Sequence, residues 1–309
     1  MRAAAWAGLQ DSTPRAGLLS MHARVDGIEP GSWEDPSLVQ VWGPRFSVYV
    51  VADRDRAVFT LGRLPDGAAK RRNANHLADR LDVFLDGRRM PFAEAARGLG
   101  ERHPNTLRYA AATGRVVMRW DGARQPTIWM VPPPAVDPGE ARLELARRYL
   151  HVFGPTTAEA FAEWAAIAPG SGRAALEALA ASLTPVRTPV GDAWILTEDE
   201  EALRTSVGGD VAATRLLPSG DTYFLLRGAD RELLVADPGR RNELWTPQVW
   251  PGAVLVEGEV VGTWRRAGAV VTIQTWRRLP PGSREAVELE AQSFPVPDVQ
   301  GGIRVRWET

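Results

Sequence analysis

Residues Arg147–Ile167, RRYLHVFGPTTAEAFAEWAAI, decide the fold. They begin inside a helix over Glu140–Phe153, where Leu143, Ala146, Tyr149 and Leu150 recur three or four residues apart and share one face. Gly154-Pro155 ends that helix, because proline cannot continue the backbone ladder. Thr156 and Glu159 have the spacing of a capping box for a second short helix, with Phe161, Trp164 and Ala165 on its inner face. A Pro-Gly-Ser-Gly turn at 169–172 leads to a third helix that carries Leu176, Leu179 and Leu183 on one stripe. Two short strands follow, around Val186 and over Ala193–Leu196, joined by a turn at Val190-Gly191-Asp192. Three short helices and a hairpin make a winged helix-turn-helix. That module most often docks a helix on duplex DNA, and it also serves as a protein contact.

Upstream, residues 70–134 repeat the plan. Helices are expected over Asn73–Leu85, Pro91–Leu99 and Asn105–Ala112, then wing strands over Arg115–Trp120 and Thr127–Val131 around an Asp121-Gly122 turn. Pro132-Pro133-Pro134 is a stiff linker into the third module. Residues 1–64 give a shorter version: Thr13 caps a helix with Pro14 at its first position, Asp35-Pro36 opens another through Trp42, and Phe46–Val51 and Ala57–Leu61 are strands. Val48, Val117 and Val186 recur at a spacing of 69 residues, the mark of an internal repeat. From about Val211 the pattern turns to strands, over Arg215–Leu217, Thr222–Leu226, Glu232–Val235, Val254–Glu257, Glu259–Trp264, Ala269–Thr275 and Ile303–Trp307, with a helix over Ser283–Phe294. The expected fold class is α+β: three tandem winged helix-turn-helix modules, 1–64 (lacking its opening helix), 70–134 and 138–198, followed by a β-rich, barrel-like C-terminal domain over 211–309.

Composition narrows the function. The chain has 309 residues, enough for two or three small domains, and no apolar run long enough to span a membrane. No charged-then-apolar leader opens it, so the expected location is cytoplasmic. The absence of cysteine excludes disulfides, thiolate zinc sites and cysteine nucleophiles. His22, His76, His103 and His151 are scattered without ligand spacing, so neither a metal nor another cofactor is expected. The formal net charge is −1, so a chain that binds DNA must gather its positive charge on one face. Of 37 basic residues only Lys70 is a lysine.

Five stretches in this order, GLQDSTPRAGLLSMHAR (8–24), GPRFSVYVV (43–51), RRYLHVFGPTTAEAFAEW (147–164), LLPSGDTYFLL (216–226) and VEGEVVGTWRR (256–266), resemble the winged-helix DNA glycosylases. The resemblance is strongest to members that remove alkylation adducts and interstrand crosslinks, and it covers nearly the whole chain. It implies a positively charged clamp on double-stranded DNA and a catalytic Gln-x-Gln or Gln-x-Asp motif. The first position of that motif falls on Gln10, the middle on Asp11 and the last on Ser12, where the family has Gln or Asp.

The chemistry can also be argued from the residue types. Breaking an N-glycosidic bond develops an oxocarbenium-like sugar, and an ordinary base needs an acid to help it leave. A ring-alkylated purine is already cationic and leaves without one. The enzyme then has to place a water beside C1′ and turn polar groups toward the growing charge, which a neutral Gln amide can do. A Schiff-base lyase route needs a reactive amine. With only Lys70 and the N-terminal amine available, the expectation is a monofunctional N-glycosyl hydrolase acting as a monomer. Gln10-Asp11-Ser12 can equally be a loop that caps the next helix, and the scaffold can equally bind DNA without catalysis, for regulation or damage binding. Arg15, Arg45, Lys70, Arg71, Arg72, Arg265, Arg266, Arg277 and Arg278 are the candidate phosphate contacts, each also readable as a solvated turn or helix end.

Overall fold

Strands from the first two sequence modules are woven into one sheet. The computed structural model describes residues 6–13, 15–120, 125–205, 214–296 and 301–308. These fall into two compact units, one of Met1–Pro14, Asp35–Thr188 and Asp192–Asp199, the other of Arg15–Glu34, Pro189–Gly191 and Glu200–Thr309. The architecture is mixed α+β, as the residue patterns imply. No helix among the described residues is long and apolar enough to cross a membrane.

In the first unit, β1 (Leu9–Gln10), β2 (Leu38–Trp42), β3 (Val48–Ala52), β4 (Met90–Pro91), β5 (Val116–Arg119) and β6 (Thr127–Met130) form a six-stranded sheet in the order β1-β3-β2-β5-β6-β4. Every pairing in it is antiparallel, and a single residue pair, Gln40↔Met118, joins the first hairpin to the second. The helix expected from Asp35-Pro36 through Trp42 is instead β2. Asp35 accepts from the Ser37 amide and hydroxyl in a tight turn, and the Leu-Val-Gln-Val-Trp run that follows suits a pleated, buried strand. Conversely, Ala57–Leu61 was expected as a strand and is a helix over Arg56–Thr60 that tightens into a 3-10 turn at Leu61–Arg63. Ala57, Val58, Phe59 and Thr60 are all buried, and an apolar run buried on every side has no period to read.

The second module follows expectation more closely. Its long helix covers Ala68–Leu85, starting earlier than Asn73, and buries Ala74, Leu77, Ala78, Leu81 and Leu85. Phe92–Gly98, a 3-10 turn at Pro104–Leu107 and Arg108–Ala111 complete the helices. They close on a core of Leu81, Leu85, Phe92, Leu107, Met118 and Ile128 that also takes Trp42 from the first hairpin. The expected Asp121-Gly122 turn lies outside the described residues.

The third module opens with a helix over Pro138–Phe153, capped by Asp137 accepting from the amides of Gly139 at 2.7 Å and Glu140 at 3.1 Å. The cap of the next helix, Ala158–Ala165, is Thr157 rather than Thr156: Thr157 Oγ1 accepts from the Ala160 amide at 3.2 Å. Thr156 is buried and instead exchanges two backbone hydrogen bonds with Trp194. The Pro-Gly-Ser-Gly stretch is not a turn but the first turn of the helix Pro169–Ala178, with proline where its missing N–H costs nothing. Gly172 belongs there because a Cβ would sit 2.7 Å from Ala162 Cβ and from the Ala158 carbonyl, so the two helices touch through it. The hairpin of β7 (Leu183–Thr188) and β8 (Gly191–Leu196) turns at Pro189-Val190. The recurring valines all land in strands, but Val48 begins the second strand of its hairpin whereas Val117 and Val186 lie in the first of theirs.

In the second unit, β9 (Arg215–Leu217), β10 (Gly252–Val256), β11 (Glu259–Ala267), β12 (Val270–Thr275) and β13 (Arg304–Glu308) line up as β13-β12-β11-β10-β9. Among the described residues only β12 and β13 pair parallel. Among the described residues nothing pairs β13 with β9, so this is an open sheet rather than the barrel-like closure expected. Its core joins Leu19, Leu216, Val254, Trp264 and Ile273 to Val287 of the helix Ser283–Gln292. Two expected strands are absent: Thr222–Phe224 is a 3-10 turn capped by Asp221, and Arg231–Leu234 is a helix, followed by an unexpected one over Pro238–Leu244. Thr13 does not cap the helix Ala16–His22. Arg15 holds that position with φ of 65°, and Pro14 lies outside the described residues. That helix is fixed through buried Asp221, which accepts from Ser20 Oγ at 2.6 Å and from two Arg24 nitrogens at 2.7 and 2.6 Å.

Candidate active site

Gly8 seats the Gln10 motif. Its φ is +67°, and a Cβ there would fall 2.9 Å from Val51 Cγ1 and 3.2 Å from the Phe59 and Tyr49 rings. Only glycine both takes that backbone and allows that approach. The chain then enters β1, with Leu9 opposite Val50 and Gln10 opposite Tyr49. The Asp11 amide donates to the Val48 carbonyl at 2.7 Å, so the motif is held by backbone on both sides.

Gln10 and Asp11 are buried, at 8% and 5% exposure, and Ser12 is exposed. Gln10 Oε1 is enclosed and accepts no hydrogen bond from any described residue. An enclosed carbonyl costs about 1–3 kcal/mol unless a water or a ligand donates to it. Asp11 differs: its carboxylate accepts from Gln40 Nε2 at 2.7 Å. Gln40, itself 3% exposed, also donates to the Trp120 carbonyl at 3.1 Å and accepts from the Trp120 amide at 2.6 Å. One amide side chain in the middle of β2 therefore fixes Asp11 and the end of β5 together. Sequence reasoning missed Gln40, since its partners are 29 and 80 residues away and no local pattern announces them.

The candidate cations divide between the units. Arg45 is half-buried in the Pro44–Phe46 turn with φ of 58°, and Lys70, Arg71 and Arg72 are exposed on the first turns of the Ala68–Leu85 helix. Arg71 lies 3.8 Å from Asp66. Arg15, in the second unit, stacks its guanidinium 4.3 Å over the Trp33 ring. Arg265 donates to the Val249 carbonyl at 3.1 Å and Arg266 to the Gly268 carbonyl at 2.9 Å. Arg277 pairs with Glu259, and Arg278 is exposed beside it. Thus the motif residues and Lys70-Arg71-Arg72 share one unit, and the paired arginines of β11 and of the segment after β12 belong to the other.

A second polar pair, also unforeseen, lies in the first unit. Trp6 stacks on His151 with ring centroids 3.9 Å apart, and His151 Nδ1 is 2.8 Å from Asp199. Among the described residues no group of three or more His, Asp or Glu is arranged to hold a metal ion.

Residues 3–295 match the family described as DNA glycosylase AlkZ-like. The fold is similar to that of the DNA glycosylase AlkZ of Streptomyces sahachiroi, with a TM-score of 0.73 at 20% identity, covering 97% of this chain and 91% of that one. At that identity the structural likeness speaks for the fold. No curated protein matches the sequence significantly.

Proposed function

This chain belongs to the AlkZ-like DNA glycosylase family and is a DNA glycosylase, and we propose that it is a monofunctional one that releases alkylated purines or bulky adducts and crosslinked bases with Gln10 at the reacting sugar. The observation that carries this reading is the Gln10 carbonyl, buried and accepting nothing from the described protein. A buried acceptor in a folded protein calls for a donor. The attacking water supplies the missing donor, and the carbonyl dipole then faces the charge that grows at C1′. The leaving base is already cationic, so no general acid is required. Asp11 is a positioning and electrostatic residue, held by Gln40 next to Gln10. Exposed Ser12 offers a hydroxyl where relatives by motif carry a longer side chain, so it acts through water.

The wider organisation belongs to the same proposal. Three winged-helix modules over 1–64, 70–134 and 138–198 and a β-rich domain over 211–309 present Arg15, Arg45, Lys70, Arg71, Arg72, Arg265, Arg266, Arg277 and Arg278 to the phosphates of duplex DNA. The protein acts as a cytoplasmic monomer. Phosphate contacts of this kind set affinity and register without reading sequence.

The test is base release from a duplex carrying N7- or N3-alkylated purines. The expected result is slow release that leaves an intact abasic strand, with no adduct trapped by borohydride. Gln10→Ala abolishes release and leaves duplex binding unchanged, and Ser12→Gln raises the rate. Silence from both the wild type and Ser12→Gln would overturn the assignment of these residues.

A further inference from the structure

A cleft of about 960 Å³ opens within the first unit, and no residue of the Gln10 motif lines it. Its volume is at the upper end of the range for small-molecule and cofactor sites, roughly 300–1,000 Å³. Residues of the Ala68–Leu85 helix line it together with Phe46, Tyr109 and Ile167.

Three observations say what the cleft takes. The first is an aromatic face left open. Phe46 and Tyr109 meet edge to face with centroids 5.4 Å apart, and Tyr109, which lines the cleft, is 59% exposed. The second is backbone held in an unfavourable conformation to put Phe46 there. Arg45 and Phe46 have φ of 58° and 55°, consecutive left-handed positions that L-residues avoid and that gather at functional sites. The third is charge. The two acids of the cleft are matched, Asp66 by Arg142 and Arg71 and Glu101 by Arg80. Arg63 is not: at 4% exposure its guanidinium makes no ion pair among the described residues. Among the described residues it donates to the carbonyls of Ala165, at 2.7 Å, and Trp42, at 3.1 Å, and it lies 4.8 Å from the Phe46 ring centre. Burial pushes it down to about 10. Lys70, exposed at the cleft, likewise has no carboxylate partner among the described residues.

Two uncompensated cations beside an open aromatic pair define a ligand with a flat ring and a doubly charged anion. We propose that this cleft binds a nucleotide unit, its base stacked on Tyr109 and Phe46 and its phosphate drawn to Lys70 and Arg63. Asn73 and Thr106 line the same space and offer an amide and a hydroxyl to the base edge or the sugar. Stacking tolerates any base, so the site selects the nucleotide rather than its sequence. The unit comes either from a free mononucleotide or from a DNA strand away from the lesion. Only the second source rests on the glycosylase reading, and neither depends on Gln10.

The experiment is calorimetric titration of the full chain with dAMP, with deoxyadenosine, and with an undamaged single-stranded oligonucleotide. Wild type, Tyr109→Ala, Lys70→Ala and Gln10→Ala are compared, with circular dichroism to check folding. The exposed Tyr109 and Lys70 are chosen because their removal leaves the core intact. Saturable dAMP binding below about 1 mM is expected. Deoxyadenosine, Tyr109→Ala and Lys70→Ala should each weaken it by roughly tenfold, and Gln10→Ala should leave it unchanged. An oligonucleotide that competes with dAMP and shows the same two losses identifies a DNA strand as the source. One that binds without competing identifies the free nucleotide. No saturable dAMP binding, together with oligonucleotide binding indifferent to Tyr109→Ala and Lys70→Ala, overturns the proposal. A protein that fails this titration yet releases alkylated base loses the cleft alone, and one that binds dAMP but releases nothing loses the Gln10 assignment alone.

Discussion

Gln40 holds Asp11: its Nε2 donates to the Asp11 carboxylate at 2.7 Å while the same side chain exchanges hydrogen bonds with both backbone groups of Trp120. One residue thereby bridges a buried carboxylate and a part-buried peptide unit. Replacing Gln40 with Leu removes donor and acceptor together, and the expected loss of stability is about 2–4 kcal/mol, since hydrogen bonds to a carboxylate and to two backbone groups disappear at once. Urea denaturation measures it, and a loss below about 1 kcal/mol would show that the side chain matters little. Gln40→Glu is a sharper probe. It keeps the acceptor for the Trp120 amide and sets a second carboxylate against Asp11. Like charges resist joint ionisation, so its stability should fall as pH rises from about 4 to 7.

The Gln10 carbonyl predicts the opposite sign. Gln10→Leu keeps the volume and removes a buried acceptor that no described residue satisfies. The variant should be as stable as wild type, or more stable by up to about 1 kcal/mol, while base release disappears. A destabilisation above about 1 kcal/mol would mean that the fold, not the reaction, depends on this amide.

Duplex binding should be strongly salt-dependent and nearly blind to sequence. With six or more arginine–phosphate contacts, affinity should drop by about three orders of magnitude or more between 50 and 200 mM salt. A flat titration across that range would remove the phosphate-gripping role of the candidate arginines.

His22 gives a pH prediction in the second unit. Burial first, and Arg215 second, hold its pKa below the ordinary imidazole value. Its ring nitrogen Nε2 lies 3.0 Å from Ser293 Oγ. The folded protein thus binds the proton less readily than the unfolded chain, so stability is complete above the unfolded value near 6.5 and is lost as pH falls through the lowered folded value. Glu290, 4.0 Å away and raised by burial, has the reverse slope. The difference between wild type and His22→Gln isolates the histidine: the gap in melting temperature should narrow on acidification from pH 7. A gap that stays constant would exclude it.

Much of this molecule was readable from the residues, and the failures have physical causes. The helix Pro138–Phe153 and the helix Ala68–Leu85 were found because each sets a long apolar stripe against a polar face. The segments that exchanged strand for helix, Leu38–Trp42 and Arg56–Thr60, are five residues each and buried on nearly every side, so periodicity had nothing to contrast. Capping was read one residue early at Thr156, because two adjacent threonines both offer a hydroxyl and only the bridge to Trp194 decides between them. At the site, Gln10 and Asp11 came from a resemblance in motif. Gln40 and Arg63 matter through partners far along the chain, which a linear sequence does not display.

The joint between the first two hairpins bears on synthesis. β2 pairs with β3 almost at once, but its other edge finds β5 only through Gln40 and Met118. At about 5–20 residues per second on the ribosome, roughly eighty further residues take several seconds to emerge. During that wait the Leu38–Trp42 edge is open, with Trp42 still lacking the helices that will bury it. A nascent chain stalled between these hairpins is therefore sticky, and the polar Gln40 at the centre of the waiting strand is the one side chain there that discourages a stranger from pairing.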